Sequence, residues 1–185
     1  MTTINGGACV VNGTPVDKVF SNGVQVYGRN LLLNSKDYSG GNWDYTLKTS
    51  DWHDGTQVVS ANIGSPVTFS YNKTHLISAG YLNTTDNYQL SFDLNNLGAT
   101  QVTVNIYNSG TTNQNYSIIA TVPANSGWVR LSKNITFWTV SGGQPTIGAQ
   151  VSGIDSSNRV LISNIKFEKG NIPTPWTPAP EDVLN

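Results

Sequence analysis

Tyr88-Gln89-Leu90-Ser91-Phe92-Asp93-Leu94-Asn95 and Val102-Thr103-Val104-Asn105-Ile106 are the two runs whose reading decides the fold. Apolar and polar residues alternate in both. Successive side chains of an extended chain leave opposite faces, so each run predicts a half-buried strand. Asn95-Asn96-Leu97-Gly98 supplies turn residues between them, and the runs are expected to pair as neighbours with one dry face and one wet face. The wet face carries Ser, Asp, Asn and Thr but no Lys, Arg or Glu, which suits hydrogen bonding to a neutral polar partner.

The same short, turn-bounded pattern extends in both directions. Val67-Thr68-Phe69-Ser70-Tyr71, Tyr116 to Val122, Trp128 to Ser132, Ile135-Thr136-Phe137, Thr146 to Val151, Arg159 to Ser163 and Ile165 to Glu168 all read as strands. Leu31-Leu32-Leu33 reads as a short strand buried on both sides. No long segment shows apolar residues at helical spacing, so no helix is expected. Many short strands broken by Gly, Asn and Pro predict an all-β, two-sheet β-sandwich of jelly-roll type. Leu90, Phe92, Leu94, Val104, Ile106, Leu131, Ile162 and Phe167 are its expected core.

Residues 1–28 read as a separate N-terminal hairpin or linker unit, and 29–185 as the sandwich with a Pro-rich tail. Asn12-Gly13 and Asn22-Gly23 are two-residue turn signals, and the second joins two short strands. A lone hairpin is marginal in water, so it is expected to dock on the main domain, on a second copy of the chain, or on another protein. The prolines of Asn171 to Pro180 deny that segment a ladder. It is expected to lie extended over the sandwich, anchored by Trp176.

Only 11% of the residues are charged and the net charge is -1, so a nucleic-acid or anionic-membrane partner has little to attract it. No apolar run approaches bilayer length, and the N-terminus carries no basic segment followed by an apolar one, so no secretory signal is expected. The single cysteine, Cys9, excludes an internal disulfide and reads as a small buried residue.

Two pieces of the chain look familiar together. Val11-Asn12-Gly13 to Tyr27-Gly28-Arg29-Asn30-Leu31-Leu32 and Lys166-Phe167-Glu168-Lys169-Gly170 to Thr174-Pro175-Trp176-Thr177-Pro178-Ala179-Pro180-Glu181-Asp182 resemble tail and baseplate proteins of phages infecting Gram-positive, especially lactic-acid, bacteria. There the pair brackets a jelly-roll carbohydrate-binding module. The resemblance implies a module on the phage tail tip, part of the virion, that binds host cell-wall polysaccharide. It implies further tail or baseplate proteins as neighbours and several copies of the module, a homo-oligomer included. The C-terminal motif is a structural signature and contains no ligand site. Related jelly rolls carry a structural calcium, for which Asn34, Asp37 and Glu168 are oxygen donors of the right kind. No spacing fixes them, and no metal or cofactor is assigned.

A sugar offers C–H faces to aromatic rings and hydroxyl edges to planar polar groups. Asn42-Trp43-Asp44-Tyr45 and Asp51-Trp52-His53-Asp54 supply both in Gly-flanked, loop-like surroundings, which makes Trp43, Asp44, Tyr45, Trp52, His53 and Asp54 the first binding candidates. Tyr81, Tyr107 and Tyr116 are secondary candidates, Tyr107 because it follows Ile106 and belongs on the wet side. Trp128 and Trp176 are assigned to packing, and of the adjacent Phe137 and Trp138 one ring is expected to be buried and one near the surface. No catalytic residue is assigned. The two glutamates, Glu168 and Glu181, both lie near the C-terminus, and His53 and His75 lack metal-site spacing. The expected function is non-catalytic polysaccharide binding in host recognition. A structural adaptor that mediates protein contacts within the tail is the alternative.

Overall fold

In the computed structural model the described residues are 7–62, 64–83, 85–109, 115–135, 146–154 and 159–184. The side chains at 75, 107–109 and 115–118 are left aside. In chain order the strands are β1 (Val10–Val11), β2 (Thr14–Pro15), β3 (Lys18–Ser21), β4 (Val24–Gly28), β5 (Trp43–Tyr45), β6 (Leu47–His53) and β7 (Thr56–Ser60). They continue as β8 (Val67–Asn72), β9 (Tyr88–Asn96), β10 (Val102–Ser109), β11 (Asn115–Val122), β12 (Trp128–Ile135), β13 (Thr146–Ser152) and β14 (Val160–Lys169). Two short helices, α1 (Thr74–Ser78) and α2 (Glu181–Leu184), depart from the all-strand expectation. At five and four residues, neither is long enough for apolar periodicity to register.

The strands form two five-stranded antiparallel sheets, ordered β11-β10-β13-β8-β5 and β12-β9-β14-β7-β6. Consecutive strands hold the same rank in the two lists, so the chain repeatedly crosses from one sheet to the other. This corrects the pairing of the two runs that decide the fold. β9 and β10 are not neighbours: they lie in opposite sheets and turn their dry faces toward each other across the core. Alternation specifies which side of a strand is dry but says nothing about its partner. The crossover is built by Asn96. Its Nδ2 donates to Thr100 O (2.8 Å) and Pro123 O (3.0 Å), and its Oδ1 accepts from Gly98 N (3.0 Å).

The expected core is in place. Leu90, Phe92, Leu94, Val104, Ile106, Ile162 and Phe167 are buried, and Leu131 packs against them half-buried. Phe69 of one sheet meets Phe92 of the other edge-on, with centroids 5.2 Å apart. Ile135 closes β12 and is buried, whereas Thr136, Phe137 and Trp138 lie outside the described residues.

Leu31-Leu32-Leu33 is a turn segment, not a strand, although Leu31 and Leu32 are buried. Leu31 N donates to Phe167 O (2.8 Å), and side chains supply further hydrogen bonds in place of a ladder. Asn30 Oδ1 accepts from the amides of Leu32 (3.1 Å) and Phe167 (3.2 Å), and its Nδ2 donates to Ser35 Oγ (2.8 Å) and Thr177 O (3.0 Å).

Both Asn-Gly signals close hairpins. Val11 pairs with Thr14 and Ser21 with Val24, so β1 joins β2 and β3 joins β4. The second hairpin docks by Gln25 and Tyr27, both buried, and leaves Phe20 (60%), Val24 (59%) and Val26 (39%) exposed. It packs over an ion pair. Lys166 and Glu168 point outward from β14, yet both are fully buried, with Nζ and Oε2 3.6 Å apart. Glu168 accepts from Thr174 N (2.7 Å) and Thr174 Oγ1 (2.6 Å). Lys166 Nζ donates to Thr174 Oγ1 (2.7 Å) and Pro175 O (2.7 Å), and Gly28 N donates to Thr174 Oγ1 (3.1 Å). Burial pulls the Lys166 ammonium down to about 8, against the opposing pull of Glu168. Thr174 is therefore the anchor of the tail, with Thr177 beside it, while Trp176 is only half-buried. The two terminal motifs meet in this clasp, and Arg29 extends it by bonding Asp17 and Glu181.

Candidate functional site

β6 and β7 form a hairpin whose tip is Asp54-Gly55, both at positive φ (45° and 88°), as a tight two-residue turn requires. A register shift between Lys48 and Trp52 bends the hairpin. The bend carries its tip over the outer face of the second sheet. Although β6 and β12 are that sheet's opposite edges, the His53 ring lies flat on Trp128, centroids 3.8 Å apart and planes 4° apart.

Beside the stacked rings is a polar pair. Arg130 on β12 faces Asp93 on β9 in the ladder, and its Nη1 donates to Asp93 Oδ1 at 3.0 Å. Nη1 also donates to Asn164 O (2.7 Å), and Nη2 donates to Ser91 Oγ (2.8 Å). Asn164 Nδ2 donates to Asp93 Oδ2 at 2.6 Å. His53 Nε2 lies 3.5 Å from a carboxylate oxygen of both Asp54 and Asp93. These groups floor a groove of about 450 Å³ lined by Asp54, Asp93, Arg130 and Asn164, with tail residues 173–176 as its other wall. The clasp thus holds one side of the groove.

His53, Asp54 and Asp93 are close enough to share an ion. The Arg130 guanidinium on Asp93 opposes a second cation there, and no metal is assigned. Of the oxygen donors considered for calcium, Glu168 accepts from Thr174 and pairs with Lys166, and Asp37 accepts from Ser39 N (3.0 Å).

The sequence candidates separate. Only His53 and Asp54 reach this site. Trp52 is 54% exposed on the same strand but does not line the groove. Trp43 is core, only 8% exposed. It sits edge-on between Tyr38 and Tyr71, with its indole N–H donated to Leu33 O at 2.7 Å. Asp44 is exposed and Tyr45 leans on the core, both on β5 at the edge of the other sheet, so this segment is a strand and not a binding loop. Tyr81 is 38% exposed and occupied by Arg29, whose guanidinium carbon lies 4.5 Å from the ring centroid. Tyr107 and Tyr116 are directly opposite each other in the ladder of the other sheet, and their side chains lie outside the described residues. Of the two tryptophans assigned to packing from sequence, Trp128 is half-buried and packs on His53, whereas Trp176 is half-buried and lines the groove. Asp93, Arg130 and Asn164 were missed. Asp93 and Arg130 sit at the wet positions of alternating runs. Asn164 sits where Ile162-Ser163-Asn164-Ile165 breaks the alternation, a signal that marks a bulge.

The sequence matches no family model and no curated protein. Among solved structures the chain is similar to the N-terminal cellulose-binding domain of Cellulomonas fimi β-1,4-glucanase C, at 12% identity and TM-score 0.49, over 76% of this chain and 95% of that one. It is also similar to a family 16 carbohydrate-binding module, at 15% identity and TM-score 0.43, over 62% of this chain and 78% of that one. A third similar structure is the tripod from the baseplate of bacteriophage Tuc2009, at 19% identity and TM-score 0.49, over 83% of this chain and 60% of that one.

Proposed function

We propose that this chain is a non-catalytic saccharide-binding module whose site is the groove between the outer face of the second sheet and the C-terminal tail. The observation that carries the reading is an open groove that sets Trp176 across from the Arg130–Asp93 pair, with the flat His53–Trp128 stack beside that pair. Such a site combines an aromatic surface for C–H faces with planar donors and acceptors for hydroxyls. The carboxylates favour binding over hydrolysis. Both glutamates are engaged within the clasp, and Asp93 is held as an ionised acceptor by Arg130 and Asn164.

The finer reading rests on the terminal motifs and their resemblance to phage tail proteins. The ligand is then a Gram-positive cell-wall polysaccharide, the location the virion tail tip, and the neighbours other tail or baseplate proteins. Fluorescently labelled chain is expected to decorate Gram-positive cells and to be competed off by extracted wall polysaccharide. Absence of decoration across a panel of lactic-acid bacteria removes the reading. The adaptor function is favoured by a separate observation, the exposed Phe20, Val24 and Val26 on the N-terminal hairpin. It predicts capture of a tail protein with no polysaccharide binding.

A further inference from the structure

We infer that Asn164 is a positioning residue: through a single β-bulge it fixes Asp93 and Arg130 as a side-by-side acceptor and donor, and so sets the groove to take two adjacent hydroxyls of one sugar ring. The inference rests on the groove being the saccharide site. On β14, Ser163 faces Asp93 and Lys166 faces Ser91, three steps against two on β9, so one residue is extra. Ile162, Ile165 and Phe167 all point into the core, which places both Ser163 and Asn164 on the outer face. Asn164 adopts φ 52°, a left-handed conformation that asparagine tolerates better than most residues.

Every polar group of this residue is used. Its amide N donates to Thr56 Oγ1 (2.9 Å) and its Oδ1 accepts from that same hydroxyl (2.8 Å). Its Nδ2 holds Asp93 Oδ2 and its carbonyl, freed from the ladder by the bulge, holds Arg130 Nη1. The residue is 3% exposed, so the hairpin tip, the carboxylate and the guanidinium are referred to one buried amide. With Ser91 on Nη2, Asp93, Asn164 and Ser91 fix the plane of the guanidinium, and Arg130 still lines the groove. Asp93 retains acceptor capacity beside it. Adjacent hydroxyls, one accepting from Arg130 and one donating to Asp93, match that edge.

The test is affinity electrophoresis of the full chain through gels containing extracted Gram-positive wall polysaccharide, with melting followed by circular dichroism. Asn164→Asp keeps shape and Oδ1 but turns an oxygen toward Asp93. Asn164→Gly keeps the left-handed backbone and its carbonyl but deletes the amide. Each is expected to weaken binding about 10-fold, as is Arg130→Ala, and the double variant Asn164→Gly/Arg130→Ala to lose no more than about twofold beyond Arg130→Ala, because coupled residues are non-additive. Periodate-treated polysaccharide, whose adjacent diols are cleaved, is expected not to bind. If Arg130→Ala weakens binding while both Asn164 variants bind as wild type, or if the losses simply add, the positioning role is overturned and the groove reading stands. If Arg130→Ala binds as wild type, the groove reading falls and the inference with it. Undiminished binding of periodate-treated polymer overturns the diol assignment.

Discussion

Gly28→Ala is the substitution for which the structure gives the sharpest expectation. Gly28 has an ordinary backbone conformation, so conformational strain is not the issue; space is. A Cβ there would overlap Glu168 Oε2 and stand 2.9 Å from its carboxyl carbon. The carboxylate must move, and it is fully buried, paired with Lys166 and holding Thr174 through two hydrogen bonds of 2.7 and 2.6 Å. Breaking a buried pair costs about 3–5 kcal/mol, whereas alanine's smaller unfolded-state entropy returns only about 0.4–1 kcal/mol. A net loss of about 3 kcal/mol, at a urea slope of about 2 kcal/mol/M, lowers the midpoint by about 1.5 M. Because Thr174 anchors the tail wall of the groove, polysaccharide binding should weaken even where the variant is folded. Urea unfolding followed by circular dichroism reads the first effect. A midpoint within about 0.3 M of wild type, on the same slope scale, refutes the clasp as described.

Three further outcomes follow from the same geometry. Trp43→Phe should cost about 1–3 kcal/mol, because Leu33 O loses its indole donor, and leave affinity for wall polysaccharide unchanged, as thermal melts and affinity electrophoresis would show. Asn96→Ala should cost about 2–3 kcal/mol by urea unfolding, since the sheet-to-sheet loop loses bonds to Thr100, Pro123 and Gly98. Burial raises the phenols of Tyr27, Tyr38, Tyr71 and Tyr88 above their usual value of about 10, so the folded state holds protons that the unfolded state releases. Their contribution is intact below pH about 10 and is lost as pH rises beyond it, so tyrosinate absorbance and alkaline unfolding should appear together.

Much of the fold was legible because alternation reports burial directly. Phe92, Leu94, Ile106 and Ile162 could be placed in the core from their neighbours alone. The pairing of β9 with β12 and β14, instead of with β10, was not legible. It depends on how Asn96 turns the chain, and turn residues look alike whether they close a hairpin or cross a sandwich. The N-terminal hairpins were readable from Asn12-Gly13 and Asn22-Gly23, whose left-handed conformations few other residues accept. The site was legible only in part. His53 and Asp54 could be chosen for their chemistry, but Trp43 offered the same chemistry and is core, because an aromatic ring serves packing as readily as stacking. Arg130, Asp93 and Asn164 are far apart in sequence and meet only through the register of three strands and one bulge.

The central claim is tested most directly by nitrogen-15 chemical-shift mapping of the full chain during titration with oligosaccharides released from Gram-positive wall polysaccharide. The indole N–H of Trp176 and the side-chain signals of Arg130 and Asn164 are expected to move together and saturate, while the indole of Trp43 stays still. Saturating shifts confined to the Phe20–Val26 hairpin, or none at Trp176 and Arg130, would contradict it.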